Sequence, residues 1–494
     1  MKRVGYWAAV GLLALFVTAC GIQQDPQFEL LKQPNQGNIR VNVLLNTDAT
    51  PAVQAELSTH GSILDVIEQI DTVSMMAPAD EVDDIERLPF VESASPDVEY
   101  KGIPIDTVAV DGFDAGLSTW NLDSVNVTAQ PGFDTRSVEL DGSGVYVAVL
   151  DTGLMDTWRQ YFPEERIAEE YAIAFGGGGA DQGFTSDQPN KWEHDVNGHG
   201  SHVTSTIIGY SFGGTPINGV APGATVIPVK VLNQNGSGWS SVVAAGITYV
   251  ADLKANELSD HPVVINMSLG GPGPDPISAA AVDYAVDKGV IIVASAGNEG
   301  ELGMGYPGAY APVISVAASG WADEWTTGSW WNSLDVAEPT SPEDFYITDF
   351  SSRELAGQEL DVAAPGSWVV GPYQLNSGQI SYYFLGGTSM ASPHVAGVAA
   401  LLMQQDPTRV QAEVEATLKG TAIPFDYDGD DELCRDIIDP NTGPTNVCWG
   451  PDASGAGLVT ADAALAGISG DTAAGEGGSQ GPGNSKGGVK GKKN

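Results

Sequence analysis

The sequence predicts an α/β protein: a large domain with a mainly parallel central sheet and flanking helices, preceded by a small α/β unit. Three observations predict it. From Trp120 onward, short apolar runs alternate with helical stretches, the pattern of a parallel sheet joined by crossover helices. Ahead of them, residues 38–103 switch repeatedly between period-two and helical patterning. An apolar content of 42% in 494 residues is enough to bury a large core.

Lys2 and Arg3 precede a short apolar stretch, Trp7 to Val17, that is too short for a comfortable membrane span. Together they read as an export signal over residues 1–19. The signal ends at Val17-Thr18-Ala19-Cys20, which resembles the bacterial lipobox. That resemblance implies that Cys20 becomes the mature N-terminus and carries lipid, attaching the exported protein to a membrane until it is released. An ordinary signal with an incidental cysteine is the alternative. The chain has three cysteines. Lipidating Cys20 leaves Cys434 and Cys448 to pair as a surface-loop disulfide in an oxidising compartment.

A polar spacer, 21–37, leads into the small unit. Ile39, Val41 and Val43 alternate with polar residues as a half-buried strand does, and Pro51 opens a helix ending near Gly61. Ser62–Ile67 and Thr72–Ala77 read as strands, Pro78–Leu88 as an acidic amphipathic helix, and Phe90–Tyr100 as an extended run. The order strand, helix, strand, strand, helix, strand is the ferredoxin-like one. Residues 104–119 read as a linker.

In the large domain, residues 120–468, the strand candidates are Val145–Leu150, Val226–Val231, Val263–Met267, Val290–Ala294 and Val313–Ala317, and the helix candidates are 200–208, 240–254 and 276–288. Two insertions interrupt the pattern. One, 156–193, holds Gly176–Gly179; no Lys-Ser or Lys-Thr follows, so it reads as a loop and not a phosphate cradle. The other, 321–347, holds Trp321, Trp325, Trp330 and Trp331, either a substrate surface or packing of a long loop. Residues 469–494 are rich in Gly, Ser and Lys, and their composition predicts disorder.

Acidic residues number 64 against 21 basic ones, a formal net charge of -43. A field of that sign repels phosphate backbones and excludes nucleic acid as a partner. It reads either as a solubility device or as adaptation to salt, which screens self-repulsion.

Four segments carry candidate chemistry. Asp151 ends an apolar strand and is followed by Thr152-Gly153; a strand end of this kind is where open α/β sheets place functional groups. Aspartic proteases share Asp-Thr-Gly but need two carboxylates, and this chain has one such tripeptide. His199 lies in Asn197-Gly198-His199-Gly200-Ser201-His202, at a turn into a helix. His194, His199 and His202 could be read as metal ligands, but no acidic residue completes a zinc spacing. Ser389 lies in Gly386-Gly387-Thr388-Ser389-Met390-Ala391-Ser392-Pro393-His394, at the start of a long apolar helix, 389–404. The unpaired N–H groups of such a helix end stabilise an oxyanion, though the same tripeptide also serves as a plain N-cap. Asn298, in Ala294-Ser295-Ala296-Gly297-Asn298-Glu299-Gly300, offers a side-chain amide to the same charge; alone it reads as a turn residue.

Together these segments resemble the subtilisin-like serine protease family. The order Asp, His, Ser is that family's. The resemblance covers most of 120–467 and includes Gly219-Val220-Ala221-Pro222, Asn266-Met267-Ser268-Leu269-Gly270-Gly271 and Val362-Ala363-Ala364-Pro365-Gly366. It implies a serine endopeptidase in which Ser389 attacks, His199 moves the proton, Asp151 orients His199, and Asn298 holds the oxyanion. It implies that Ser268, Leu269 and Gly270 pair with substrate backbone, with Gly270 and Gly271 leaving room beside it. The 38–103 unit resembles the inhibitory propeptide that precedes such domains, which makes the enzyme's own propeptide a partner and self-processing an expectation. Its substrates are expected to be polypeptides, its state monomeric. A silent binding protein on the same fold is the competing reading. No cofactor is required for the chemistry. The family's usual calcium loop is poor here in oxygen ligands, at Gly209–Thr215. Asp426, Asp428 and Asp430 alternate in an acidic run and form the candidate site for a structural calcium ion, or else a solvated turn.

Overall fold

A computed structural model describes residues 37–102, 104–109, 119–128, 136–175, 190–325, 336–427, 429 and 431–467. The expectations for residues 1–19, Cys20, Gly176–Gly179, Trp330, Trp331, Asp428, Asp430 and 469–494 lie outside the described residues.

The N-terminal unit comprises β1 (Asn38–Leu45), α1 (Pro51–Leu57), β2 (Ser62–Ile67), β3 (Thr72–Pro78), α2 (Val82–Glu86) and β4 (Val91–Pro96). Thr50 caps α1 by accepting from Val53 N, and Pro51 occupies its first turn. The strands form an antiparallel sheet in the order β2-β3-β1-β4, the ferredoxin-like arrangement read from the sequence. Val41, Val43, Leu57, Val73, Met75 and Ile85 close its core. The acidic helix read over Pro78–Leu88 is shorter, Val82–Glu86, because Pro78 to Glu81 turn through a 3-10 segment first.

Two sequence readings change beyond this unit. The extended run 90–100 divides, and β5 (Glu99–Lys101) leaves the small sheet to pair with the large domain. The expected linker contains a strand, β6 (Asp106–Ala109). Four residues carry too little pattern to announce a strand, and the partner that orders it lies far along the chain.

The large domain begins with α3 (Trp120–Ser124) and β7 (Tyr146–Asp151), then β8 (Ile173–Ala174), α4 (His199–Ile208), the hairpin β9 (Tyr210–Phe212) and β10 (Thr215–Ile217), and β11 (Thr225–Lys230). There follow β12 (Ser237–Trp239), α5 (Ser240–Ala255), β13 (Val263–Met267), α6 (Pro276–Asp287), β14 (Val290–Ser295), β15 (Ile314–Trp321), β16 (Phe345–Ile347) and β17 (Val362–Pro365). The chain closes with β18 (Val369–Pro372), β19 (Tyr382–Gly386), α7 (Thr388–Gln405), α8 (Gln411–Thr421), the hairpin β20 (Leu433–Asp439) and β21 (Gly443–Trp449), and α9 (Ala461–Ala466). The central sheet has the order β16-β15-β14-β13-β7-β11-β8, with β17 also on β15, and only the β15–β16 pair is antiparallel.

Val147 and Val149 enter one apolar core while Ala148 and Leu150 enter the other, and Ile291 and Ile292 divide likewise. Alternate residues of a strand face opposite sides. Both faces are therefore covered, which is why these strands read as unbroken apolar runs. The stretch from Cys434 to Cys448, read as an irregular loop, is instead paired in register across β20 and β21. The two cysteines face each other across that ladder, Cα atoms 4.1 Å apart, and are joined by a disulfide. Prolines and a glycine between them suggested a loop, but Gly443 takes a left-handed φ of 84° and starts the return strand.

Candidate active site

Asp151 is the last residue of β7, in the middle of the sheet, and His199 is the first of α4, entered through Gly198 at φ 95°. The left-handed turn favours glycine there. Both side chains are fully buried, and His199 Nδ1 lies 2.9 Å from each carboxylate oxygen of Asp151. Thr152 N donates to Asp151 Oδ1 at 2.6 Å.

A second buried carboxylate fixes the turn that delivers His199. Asp195 accepts from Asn197 N at 2.9 Å, Gly198 N at 2.7 Å and Thr152 Oγ1 at 2.7 Å, and Lys230 Nζ lies 3.9 Å away. Thr152 Oγ1 accepts in turn from Gly200 N at 2.9 Å. The end of β7 and the start of α4 are thus tied on both sides of the Asp151–His199 pair. Burial raises the Asp195 pKa, opposed by the Lys230 charge. The sequence reading missed Asp195. The signal was present: an Asp two and three residues before the N–H groups it accepts is an Asx-turn pattern.

Ser389 is the second residue of α7, after Gly387. Its Oγ donates to Ser268 O at 3.2 Å, and Ser268 Oγ donates to Ser389 O at 2.7 Å. Asn266 Nδ2 donates to Ser268 Oγ at 3.0 Å, and Asn266 Oδ1 accepts from Ser392 Oγ at 2.7 Å. The end of β13 is therefore stitched to the start of α7. Among the described residues no hydrogen bond reaches His199 Nε2, so Ser389 and His199 are not bonded to each other here.

Asn298 follows β14. Its Oδ1 accepts from Thr388 N and Thr388 Oγ1, both at 2.9 Å. With Oδ1 engaged, Nδ2 is the group left to donate, next to the residue before Ser389. Thr388, which sets this orientation, was not singled out from the sequence.

Of the four residues read as substrate-binding, Gly270 is the one paired with the segment that leads out of the N-terminal unit. Lys101 and Gly270 exchange hydrogen bonds of 2.8 and 2.9 Å, while Gly102 N donates to Gly236 O at 2.8 Å. β5 pairs with β12 on the other side. Ser268 bonds Ser389 as above, Leu269 is buried in the core, and Gly271 pairs with Tyr306. A Cβ on Gly102 would come within 2.8 Å of Ser268 O and 3.4 Å of His199 Cε1. The contact with Ser268 O, and one of 2.7 Å with Leu232 Cδ1, would force a shift for any side chain, while that with His199 is ordinary packing. Beyond it, Ile105 N donates to Gly386 O at 2.8 Å. A cleft of about 550 Å³ is bordered by Lys101, Ile105, Trp239, Gly271, Asn298 and Ser389.

Among the described residues, His194 and His202 join no cluster of potential metal ligands. His202 Nε2 donates to Val369 O at 3.0 Å, and burial, with His199 nearby, holds its pKa down to about 3. His194 Nε2 meets Asn190 Nδ2. Asp426 is exposed, and the calcium candidate depends on Asp428 and Asp430 outside the described residues. Trp321 is buried, and Trp325 stacks edge-on against Trp368 and Phe384; these two pack the loop.

A family model described as the subtilase family matches residues 142–462. An extracellular serine proteinase of Thermus sp. (strain Rt41A) is 30% identical over 456 residues, 86% of this chain and 95% of that protein. Thermitase of Thermoactinomyces vulgaris is 34% identical over 282 residues, 57% of this chain and 82% of that protein. Among solved structures, fervidolysin from Fervidobacterium pennivorans, a keratinolytic enzyme related to subtilisin, gives a TM-score of 0.61 over 88% of this chain. The chain spans 62% of that structure's length at 24% identity, a likeness of fold alone.

Proposed function

The chain belongs to the subtilase family and is a serine-type endopeptidase, and from that premise we propose that Asp151, His199 and Ser389 are its catalytic triad and Asn298 its oxyanion donor. The observation that carries this reading is the buried Asp151–His199 pair beside a serine at a helix N-terminus, in a cleft already lined by a peptide segment. In the reaction, Ser389 Oγ leaves the Ser268 carbonyl, gives its proton to His199 Nε2 and attacks the peptide carbonyl. The unpartnered Nε2 supports that role. His199 then passes the proton to the leaving amine, and Asp151 holds the imidazole in the Nδ1–H tautomer throughout. Asn298 Nδ2 and the N–H groups at the start of α7 receive the oxyanion.

The 38–103 unit acts as an inhibitory propeptide in this proposal. Its tail runs along Gly270 and Gly236 as an added strand, the position an extended substrate takes, and continues to Gly386. The enzyme cuts this tail itself between Gly102 and Ile105. Export fits the signal at 1–19 and the extracellular relative. Among the described residues no helix is long and apolar enough to cross a membrane. A lipid on Cys20 then supplies the surface anchor, which stays with the unit when the unit is released.

Ser389→Ala should lose all peptidase activity and accumulate with residues 38–103 attached, while the parent matures and labels with a serine-reactive phosphonate. Intact mass of both exported forms reads the outcome and the lipid together. A Ser389→Ala protein of the mature length would overturn self-processing, and a parent that neither cuts peptides nor labels would favour the silent binding protein.

A further inference from the structure

The strand that leaves the cleft is a separate feature from the propeptide tail that enters it. β19 has β18 on one side and β6 on the other. The ladder is antiparallel, pairing Gly386 with Asp106, Leu385 with Thr107, Phe384 with Val108 and Tyr383 with Ala109. It starts at Gly386, three residues before Ser389, and follows directly from the Ile105–Gly386 hydrogen bond. The chain therefore lies along the cleft on one side of Ser389 and along a sheet edge on the other.

We infer that the edge of β19 is a strand-binding platform for the part of a polypeptide substrate that follows the scissile bond. It makes this enzyme favour extended chains with several residues on that side. The inference rests on the peptidase reading above and adds the substrate class to it.

Three observations support backbone recognition. The side chains of β6 make few demands: Thr107 and Ala109 are exposed, Asp106 and Val108 are half-buried, and of the four only Val108 packs on the core. The sequence of β6 is replaceable, while its backbone pairing is continuous. Next, β19 is buried along Tyr383–Gly386. Once β6 departs, a row of N–H and C=O groups loses its partners in a largely covered place, which is costly unless another strand takes them. Last, β6 is a poor permanent occupant. Asp106 faces a cavity of about 500 Å³ also lined by Asp349 and Asp439. Burial, with the like charges of Asp439 and Asp349, pushes its carboxyl pKa up. A substrate strand without an acid at that position displaces it at lower cost.

The test uses the full chain, matured and with its new N-terminus verified. Three quenched-fluorescent peptides share one sequence up to the cut and carry two, four or six residues after it. The value of kcat/KM should rise roughly tenfold from the shortest to the longest, the gain expected of a few backbone hydrogen bonds net of ordering. The longest peptide is then N-methylated at alternate amides beyond the second residue. In an antiparallel pair only every second N–H points at the partner strand, so one alternate set should erase the gain and the other should leave it. Equal kcat/KM for the short and long peptides would overturn the platform, as would equal responses to both methylation patterns. Cleavage of the shortest peptide stands as evidence for the peptidase reading by itself. Failure to cut any of the three would overturn that reading and this inference with it.

Discussion

The N-terminal unit and the large domain bury polar residues for different ends. In the large domain, the buried polar groups Asp151, Asp195, Thr152, Asn266 and Ser268 surround the candidate site and are bonded among themselves. In the N-terminal unit they lie on the outer face of the small sheet. Val41 and Val43 of β1 turn into the unit's own core, while Arg40 and Asn42, which alternate with them, are buried against α5. Asp97 collects Arg40 Nε at 2.8 Å, Asn42 Nδ2 at 3.1 Å, Ser240 Oγ at 2.9 Å and Ser241 Oγ at 2.6 Å. It also accepts from Ser241 N at 3.1 Å, at the positive end of α5. Ile67, Ile70, Val98 and Tyr100 add apolar contact with the second core of the large domain. A face made of charge and amide is stable in water when free and satisfied when docked. An all-apolar face would be tighter but would leave an exposed patch after separation. Such a junction suits the release proposed for the unit, whereas the apolar sheet core has no such polar face.

Removing the centre of the junction should have the largest effect. Asp97→Ala leaves Arg40 buried without its carboxylate, a loss of about 3–5 kcal/mol. It should shorten the lag before peptidase activity appears and make residues 38–96 sensitive to added trypsin. An unchanged lag would mean that the apolar contacts of Ile67, Ile70, Val98 and Tyr100 hold the unit alone.

Within the large domain, Asn298→Ala should lower kcat by roughly 10²–10³ at nearly constant KM, the scale of losing one oxyanion donor. Docking of the unit should not change. A change confined to KM would assign Asn298 to binding and not to turnover.

A smaller effect should separate the two regions by pH. His394 is buried in α7; its Nδ1 donates to Met390 O at 2.8 Å and its Nε2 accepts from Asn121 Nδ2 at 2.7 Å. Burial holds its pKa down to about 4, against 6.5 for the ordinary group. The unfolded chain takes up this proton below about 6.5 while the folded one refuses it until about 4. Stability from this group is therefore complete above that upper value and is lost as pH falls through the window. His394→Asn should flatten urea stability between pH 4 and 6.5 by about one proton's slope. An identical slope in parent and variant would remove His394 from the acid response and leave it to His202.

Much of this was legible because strong local signals agreed. The apolar runs that became β7, β13 and β14 needed no tertiary information: a strand buried on both faces has nothing polar to hide. Asp151, His199, Ser389 and Asn298 each sit at or just beyond the end of a regular element, with a glycine within two residues. What failed to show were features without local pattern. β6 is four residues long, and the hairpin β20–β21 is disguised by Pro440, Gly443 and Pro444.

The sequence by itself determined the class of fold, the order of the main sheet strands and the candidates for the reacting groups, because periodicity and glycine turns are properties of neighbours along the chain. Tertiary structure decided three other things: that Ser389 Oγ rests on Ser268 and not on His199, that Arg40 and Asn42 face α5 and not solvent, and that the start of the supposed linker pairs with β19 as a strand. Each depends on groups far apart in sequence and brought within hydrogen-bonding distance by packing. Hydrogen bonds act over about 3 Å, so no pattern within one segment can announce which distant atom will stand at the other end.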